Sequence, residues 1–273
     1  MPEMPEIETI ARRLRKTVLG KQIKGVRLSG QPLRRPVPDS FVKSLRGRTV
    51  RRILRRGKYI VVELEPRIYW VLHLGMSGRL LYHGGAFRPT LHTHAVIRFS
   101  DGSRLEYRDP RRFGLLDVCE APSLREIPAI RRLGEEPLGR RFDGRWLHAA
   151  IVKSRQELKA FLLDQKRVAG LGNIYVCEAL FEAGLHPSRR CFTLSEEEAF
   201  RLARGITDVL RRAVRMRGTS FSDFIDLDGN TGKNQMYLKV FQREGNACVR
   251  CGASVQRARQ GNRSTFFCAG CQR

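Results

Sequence analysis

Cys248, Cys251, Cys268 and Cys271 are spaced as C-x2-C-x16-C-x2-C at the end of this 273-residue chain. Two C-x2-C knuckles at that separation match a tetrahedral site of four thiolates, so this segment is expected to fold around one structural Zn2+. Four thiolates leave no open coordination position, and such a metal holds a fold together without activating water. Paired disulfides are the alternative, but Cys119, Cys177 and Cys191 are scattered and the N-terminus has no signal-peptide pattern.

The opposite end reads MPEMPEIETI. Removal of Met1 would leave the secondary amine of Pro2 as the free N-terminus, beside Glu3 and Glu6. An α-amino group has an ordinary pKa of about 7.7 to 8.0 against about 10.4 for lysine, so much more of it is neutral near pH 7. Attack on an aldehyde-like carbon requires that neutral form. A helix through ETIARRLRKTV would disfavour protonation of Pro2 further, with Glu3 in reach as a general acid. The same residues also read as a proline opening a helix with an acidic first turn.

Charge narrows the partner. Lys and Arg number 52 against 27 Asp and Glu, a formal charge of +25 spread along the chain. This balance implies a polyanion. The arginine pairs Arg51-Arg52, Arg55-Arg56 and Arg111-Arg112 suit bidentate phosphate contacts. No apolar span has transmembrane length, which favours nucleic acid over a membrane surface.

The texture changes near the middle. From Gly20 to about Leu116, the segments KGVRLSG, TVRRILRR, KYIVVEL, YWVLHLG, GRLLYH, HAVIRFS and SRLEYR are short, rich in β-branched and aromatic residues, and separated by turns. They predict an antiparallel sandwich or barrel. From Trp146 to Arg217 the apolar spacing turns helical, in WLHAAIV, LKAFLLDQ, IYVCEALFEAG and SEEEAFRLARGITDVLRRAV. LGEEPLGRRFDG lies between them and has linker composition.

Further motifs have ordinary readings when taken singly. Lys58 in RRGKY starts a strand, while HLGMSG (His73 to Gly78) and DPRRFG (Asp109 to Gly114) form glycine turns that could project side chains from a sheet edge. AGLGNIY places Asn173 at a helix start, where backbone amides favour a phosphate. A solvated lysine, a core methionine, a charged face and a plain helix cap account for each alone.

In order, MPEMPEIETI, RRGKY, HLGMSG, DPRRFG, LLDQKRVAGLGNIY, NRSTFFC and the cysteine pattern resemble the bacterial formamidopyrimidine-DNA glycosylase family from end to end. The resemblance implies an α+β protein. An N-terminal β-sandwich with an N-terminal helix (1–133) is followed by a linker (134–145), a helix-two-turns-helix domain (146–237) and a zinc-ribbon β-hairpin (238–273). It implies a base-excision repair enzyme that removes 8-oxoguanine and formamidopyrimidines from damaged double-stranded DNA and then cleaves the strand.

Carried over by motif, Pro2 is the nucleophile, Glu3 the proton carrier, and Lys58 assists the lyase step. Met76, Arg111 and Phe113 fill the space left by the everted nucleotide. His73, Asn173 and Arg263 clamp phosphates around the lesion, which also associates Arg263 with the catalytic centre. His92, Arg112, Lys153, Arg155 and Lys159 add DNA contacts. Thr219 and Ser220 belong to a loop, 217–235, expected to close over the base, its Gly, Asn, Asp and Ser content being that of a mobile lid.

Departures from the family pattern are Arg217 for a commonly seen glycine, LGEEPL for LGPEPL, and VFQREG for VYGREG. Related endonuclease VIII enzymes, which favour oxidised pyrimidines, share Pro2 and Glu3 but typically begin MPEGPE. A non-enzymatic zinc-ribbon binder of damaged DNA would share only the charge and the cysteines. The reading adopted is a monomeric, cytoplasmic and nucleoid-associated bacterial enzyme.

Overall fold

The computed structural model describes residues 2–85, 87–221 and 224–273. They form two compact units: 1–132 with 216–233, and 133–215 with 234–273.

The first unit is a sandwich of two four-stranded antiparallel sheets. One has the order β1 (Ile23–Leu28), β6 (Thr93–Phe99), β7 (Arg104–Arg108), β5 (Arg79–His83). The other has β2 (Arg52–Arg56), β3 (Tyr59–Glu65), β4 (Ile68–His73), β8 (Leu115–Glu120). Ile53, Ile60, Val62, Trp70 and Leu72 of one sheet and Leu80, Ala95, Ile97, Leu105 and Tyr107 of the other share the core.

Helix α1 (Met4–Thr17) buries Ile7, Ile10, Ala11 and Leu14 in the same core. Their spacing makes one apolar stripe on an otherwise charged helix. Glu8, on the same helix, accepts a bond from Arg55 Nε of β2 at 2.9 Å. Burial works against its charge, but Arg55, Arg12 and Arg15 outweigh that and hold Glu8 below the usual carboxylate range. A short helix α2 (Ser40–Leu45) adds Phe41 and Leu45 to the core.

All seven β segments of the sequence reading contain strands, and an eighth, Leu115–Glu120, lies where that reading stopped. It is the edge strand beside β4, largely half-buried, so its sequence LLDVCE carries little of the apolar signal of a buried strand.

In the second unit, α3 (Gly144–Ile151) and α5 (Asn173–Ala183) pack on α6 (Glu196–Arg215), while α4 (Leu158–Leu163) lies against α5. Asp143 caps α3 by accepting the Trp146 N–H at 2.8 Å. The strands β9 (Gln256–Gln260) and β10 (Arg263–Phe267) form the C-terminal hairpin. Its base shares a cluster with α5 through Cys177, Phe181, Val240, Phe241, Val255 and Phe266. Buried Glu178 accepts the backbone N–H groups of Lys239, Val240 and Phe241, each at 2.9 Å, and fixes the chain entering the hairpin.

This division differs from the linear partition in two places. Residues 216–233, grouped by sequence with the helical half, belong to the sandwich unit, where Phe224 and Leu227 enter the core and Leu227 O accepts the Tyr82 N–H. The expected linker 134–145 is packed: Gly134 N–H donates to Gln165 O, and Glu135 pairs with Val168. A side chain at Gly134 would lie 2.1 Å from Arg167 O. Its glycine reflects close approach of two backbones, which composition alone reads as flexibility.

Candidate active site and nucleic-acid interface

The residues after Met1, which itself lies outside the described residues, are held firmly. Pro2 is buried, Glu3 is the N-cap of α1, and Glu6 is buried in the first turn. One oxygen of the Glu6 carboxylate accepts the Glu3 N–H at 2.7 Å, and the other accepts the Thr219 N–H at 2.7 Å. A Cβ at Gly218, where φ is +86°, would fall 2.8 Å from Glu6 Oε1. One at Gly232 would fall 2.2 Å from Gly218 O. Glycine is therefore required at both roots of the 217–235 segment. Ser220 Oγ donates to Phe224 O and accepts the Gly232 N–H, bracing the roots against each other. Arg217 adopts φ +60°, a left-handed conformation that glycine takes without steric cost. Ser222 and Asp223, which the expected lid includes, lie outside the described residues.

Lys58 occupies the turn between β2 and β3 and is largely buried. The next residue, Tyr59, pairs with His73 across the sheet, their rings 4.8 Å apart. Burial, followed by the charges of Lys58 and Arg34, pushes His73 down to about 4, so the ring is neutral at physiological pH. Its Nδ1 accepts the Gly75 N–H at 3.0 Å, which leaves the proton on Nε2. His73 thus presents a neutral N–H donor in place of a positive charge.

Met76, Arg111 and Phe113 sit on the two turns that follow. Met76 and Phe113 are 38% and 45% exposed at the tips of these turns. The Arg111 guanidinium lies 4.8 Å from the Phe113 ring centre. Arg112, at φ +58°, and His92 are exposed nearby in the chain.

In the second unit, Arg263 is exposed at the start of β10 while Lys153 and Arg155 are exposed after α3. Lys159 departs from the sequence reading. It is 1% exposed, and its Nζ donates to Ser264 O at 3.1 Å and Thr265 Oγ1 at 2.6 Å. The basic stretch KSRQELK suggested a solvated charge, but position 159 falls on the inward face of α4 with Leu158 and Leu162. Burial, and then the charge of Arg263, lowers the lysine's pKa. Asn173 Nδ2 donates to the same Ser264 carbonyl at 2.8 Å. Asn173 is the first helical residue of α5, and Gly172 is the cap.

The sulfurs of Cys248, Cys251, Cys268 and Cys271 all lie within 4.8 Å of one another. Cys248 to Cys271 spans 3.8 Å and Cys251 to Cys268 spans 3.5 Å. A tetrahedron with zinc–sulfur bonds of about 2.3 Å separates its sulfurs by about 3.8 Å, so the donor set fits one zinc ion.

Three family models match in succession: the formamidopyrimidine-DNA glycosylase N-terminal domain over 1–116, its H2TH domain over 133–225, and a zinc finger found in FPG and IleRS over 245–273. The chain belongs to the formamidopyrimidine-DNA glycosylase family. The formamidopyrimidine-DNA glycosylase of Dinoroseobacter shibae is 41% identical, with all of both chains covered. The MutM (FPG) protein of Thermus thermophilus superposes with a TM-score of 0.89 at 41% identity, covering 99% of this chain and 98% of that one. The wild-type Lactococcus lactis Fpg, in complex with a DNA containing N7-benzyl-Fapy-dG, superposes at 0.91 with 33% identity and 99% of both chains covered.

Within this formamidopyrimidine-DNA glycosylase framework, the first unit brings Pro2, Glu3 and Thr219 together through Glu6, and Lys58 close to His73 through strand pairing. The second brings Lys159, Asn173 and the Arg263 strand together at Ser264. Sequence reasoning left out Glu6 as a link to the loop and Asp109 as more than a turn residue. Acidic residues in a first helical turn and at a turn start are common, and neither carries a local signal of a distant partner.

Proposed function

We propose that this chain is a bifunctional DNA glycosylase and abasic-site lyase of base-excision repair that excises oxidised purines from duplex DNA. Family membership over the whole length, with proline at position 2 and glutamate at position 3, is the observation that carries this reading.

The Pro2 nitrogen forms a bond to C1′ of the damaged nucleotide as the bond from C1′ to the base breaks, and the base leaves with a proton. The sugar ring then opens: the C1′–O4′ bond breaks, O4′ takes a proton from Glu3, and an iminium forms between Pro2 and C1′. Proline is a secondary amine, so this nitrogen keeps its positive charge and acidifies the C2′ hydrogen. Loss of that proton expels the 3′-phosphate, and a second elimination expels the 5′-phosphate. Water finally releases the proline. Lys58 stands beside His73 to meet the phosphates undergoing elimination.

Turning the nucleotide out of the stack costs a few kcal/mol. Met76 and Phe113 replace the lost stacking, and Arg111 hydrogen-bonds the orphaned base. His73, His92 and Arg112 of the first unit and Lys153, Arg155, Asn173 and Arg263 of the second contact phosphates. Lys159 acts from beneath, by holding the strand that carries Arg263. Thr219 and Ser220 hold the roots of the loop that receives the everted base. The four cysteines would hold a structural zinc ion that shapes the hairpin bearing Arg263. The enzyme works as a monomer in the bacterial cytoplasm, at the nucleoid.

Borohydride trapping tests the reading. Duplexes carrying 8-oxoguanine, an oxidised pyrimidine or an abasic site are each incubated with protein and reductant. A covalent adduct with 8-oxoguanine in preference to the pyrimidine is expected. Preference for the pyrimidine would point to endonuclease VIII chemistry, and absence of any adduct to a non-enzymatic binder.

A further inference from the structure

The turns bearing Met76 and Arg111-Phe113 are not independent. Residues 74–78 carry the chain from β4 in one sheet to β5 in the other, and residues 109–114 carry it back from β7 to β8. Since β4 pairs with β8 and β5 with β7, the two crossovers run side by side at one edge of the sandwich. His73 is opposite Leu115, and Arg79 is opposite Arg108. A Cβ at Gly75 would lie 2.5 Å from the Phe113 carbonyl, so the two backbones touch.

Asp109 sits inside this double corner, fully buried. One carboxylate oxygen accepts Ser77 Oγ–H at 2.6 Å; the other accepts the Gly114 N–H at 2.8 Å and the Tyr107 O–H at 3.2 Å. Ser77 Oγ in turn accepts the Arg111 N–H at 3.3 Å. The Asp109 backbone is engaged as well: its N–H donates to His92 O, and its carbonyl accepts the Arg112 N–H. The Tyr107 hydroxyl lies in a gap left by two glycines. A Cβ at Gly114 would fall 1.6 Å from it and one at Gly78 would fall 2.9 Å away. Burial, and then the charge of Asp109, raise the Tyr107 pKa, so this phenol is a permanent donor.

We infer that Asp109 is a positioning residue for duplex insertion, its carboxylate locking both turns into one rigid wedge so that Met76, Arg111 and Phe113 enter the stack together. The inference rests on the insertion reading given above. A flexible methionine and an arginine on separate mobile turns would each lose side-chain and backbone freedom on entering DNA, whereas a prebuilt wedge has already lost it. Asp109 touches neither substrate nor reacting atoms in this account and acts only through the two turns.

Ser77→Ala removes the hydroxyl that links Asp109 to Arg111 and leaves the Tyr107 and Gly114 bonds in place. Asp109→Asn keeps the shape but exchanges an acceptor for a donor among three donors. Two readouts apply to each variant, checked for an unchanged melting temperature. One is single-turnover excision of 8-oxoguanine, with stopped-flow fluorescence of a neighbouring 2-aminopurine reporting eversion. The other is strand cleavage at a preformed abasic site.

Excision and eversion are expected to slow together by about ten-fold or more, as for loss of a hydrogen bond to a charged group. Abasic-site cleavage should stay within about two-fold. Excision unchanged in a folded Ser77→Ala variant, or equal losses on both substrates, would overturn the inference. Should Asp109→Asn fail to fold, Ser77→Ala decides. The triple variant Met76→Ala, Arg111→Ala, Phe113→Ala separates the two readings. If it loses excision while Ser77→Ala does not, the locking role alone fails; if it too keeps full excision, the insertion reading fails.

Discussion

The Glu6 carboxylate joins the N–H of Glu3 to the N–H of Thr219, both at 2.7 Å, with Thr219 lying 213 residues beyond Glu6 in sequence. Glu3, next to the proposed nucleophile Pro2, and the root of the 217–235 segment are thus registered on one buried side chain. Loop position and the posture of the chain terminus are set together.

Glu6→Gln should expose that coupling. One amide oxygen can serve one of the two N–H donors, while the amide nitrogen faces the other, at a cost of about 1–3 kcal/mol. Excision of 8-oxoguanine should fall by roughly ten-fold or more, with strand cleavage at an abasic site less affected. Gly218→Ala should do the same by a different route, because its Cβ meets the Glu6 carboxylate and φ is +86° there. Single-turnover kinetics on the two substrates checks both variants.

The nucleophile demands a free amine. A tag or a retained Met1 ahead of Pro2 should abolish borohydride trapping and both activities, while duplex affinity stays largely intact. Mass spectrometry of the preparation, paired with trapping yield, makes the comparison. Full activity with Met1 retained would rule out Pro2 as nucleophile.

Lys159 and Arg263 should differ in salt dependence. On the proposed phosphate contact of Arg263, Arg263→Ala should lower the slope of log affinity against log salt by about 0.9. Lys159→Met weakens the support under Ser264 and Thr265 without removing a charge from the interface, so affinity drops and the slope stays. Cys248→Ser should release zinc, measured by metal analysis, and lose affinity together with hairpin structure. Fluorescence anisotropy over a salt series reads all three.

His73 gives stability a pH signature. Its folded pKa of about 4 lies below the ordinary 6.5, so between these values the unfolded chain binds more protons than the folded one. Its contribution is complete above about pH 6.5 and is lost as the pH falls toward 4, up to about 3 kcal/mol in all. In His73→Asn the amide oxygen can take the Gly75 N–H without titrating, and this part of the pH dependence should vanish. Denaturant unfolding at several pH values from 4.5 to 7 measures it.

Local chemistry wrote several features legibly into the chain. The cysteine knuckles need only short-range spacing to make a metal site, and their sulfurs converge as that spacing requires. Strand and helix textures depend on apolar period, which burial enforces residue by residue, so the sandwich strands and the four C-terminal helices were readable within a few positions. Proline and glutamate at positions 2 and 3 read equally as a helix start with an acidic first turn, and their proposed chemistry came from the family resemblance.

Only the tertiary structure decided where charge is solvated and which loops are tied down. Lys159 reads as surface charge among its neighbours, yet the face of α4 and the arrival of β10 bury it against Ser264. The 217–235 segment reads as a mobile lid, yet Glu6 and the sandwich core hold its roots. Asp109 reads as a turn residue until two crossovers, separated by three strands of chain, meet around it. In each case the deciding partner is far away in sequence, and a buried polar group takes its role from whichever donor or acceptor the fold delivers to it.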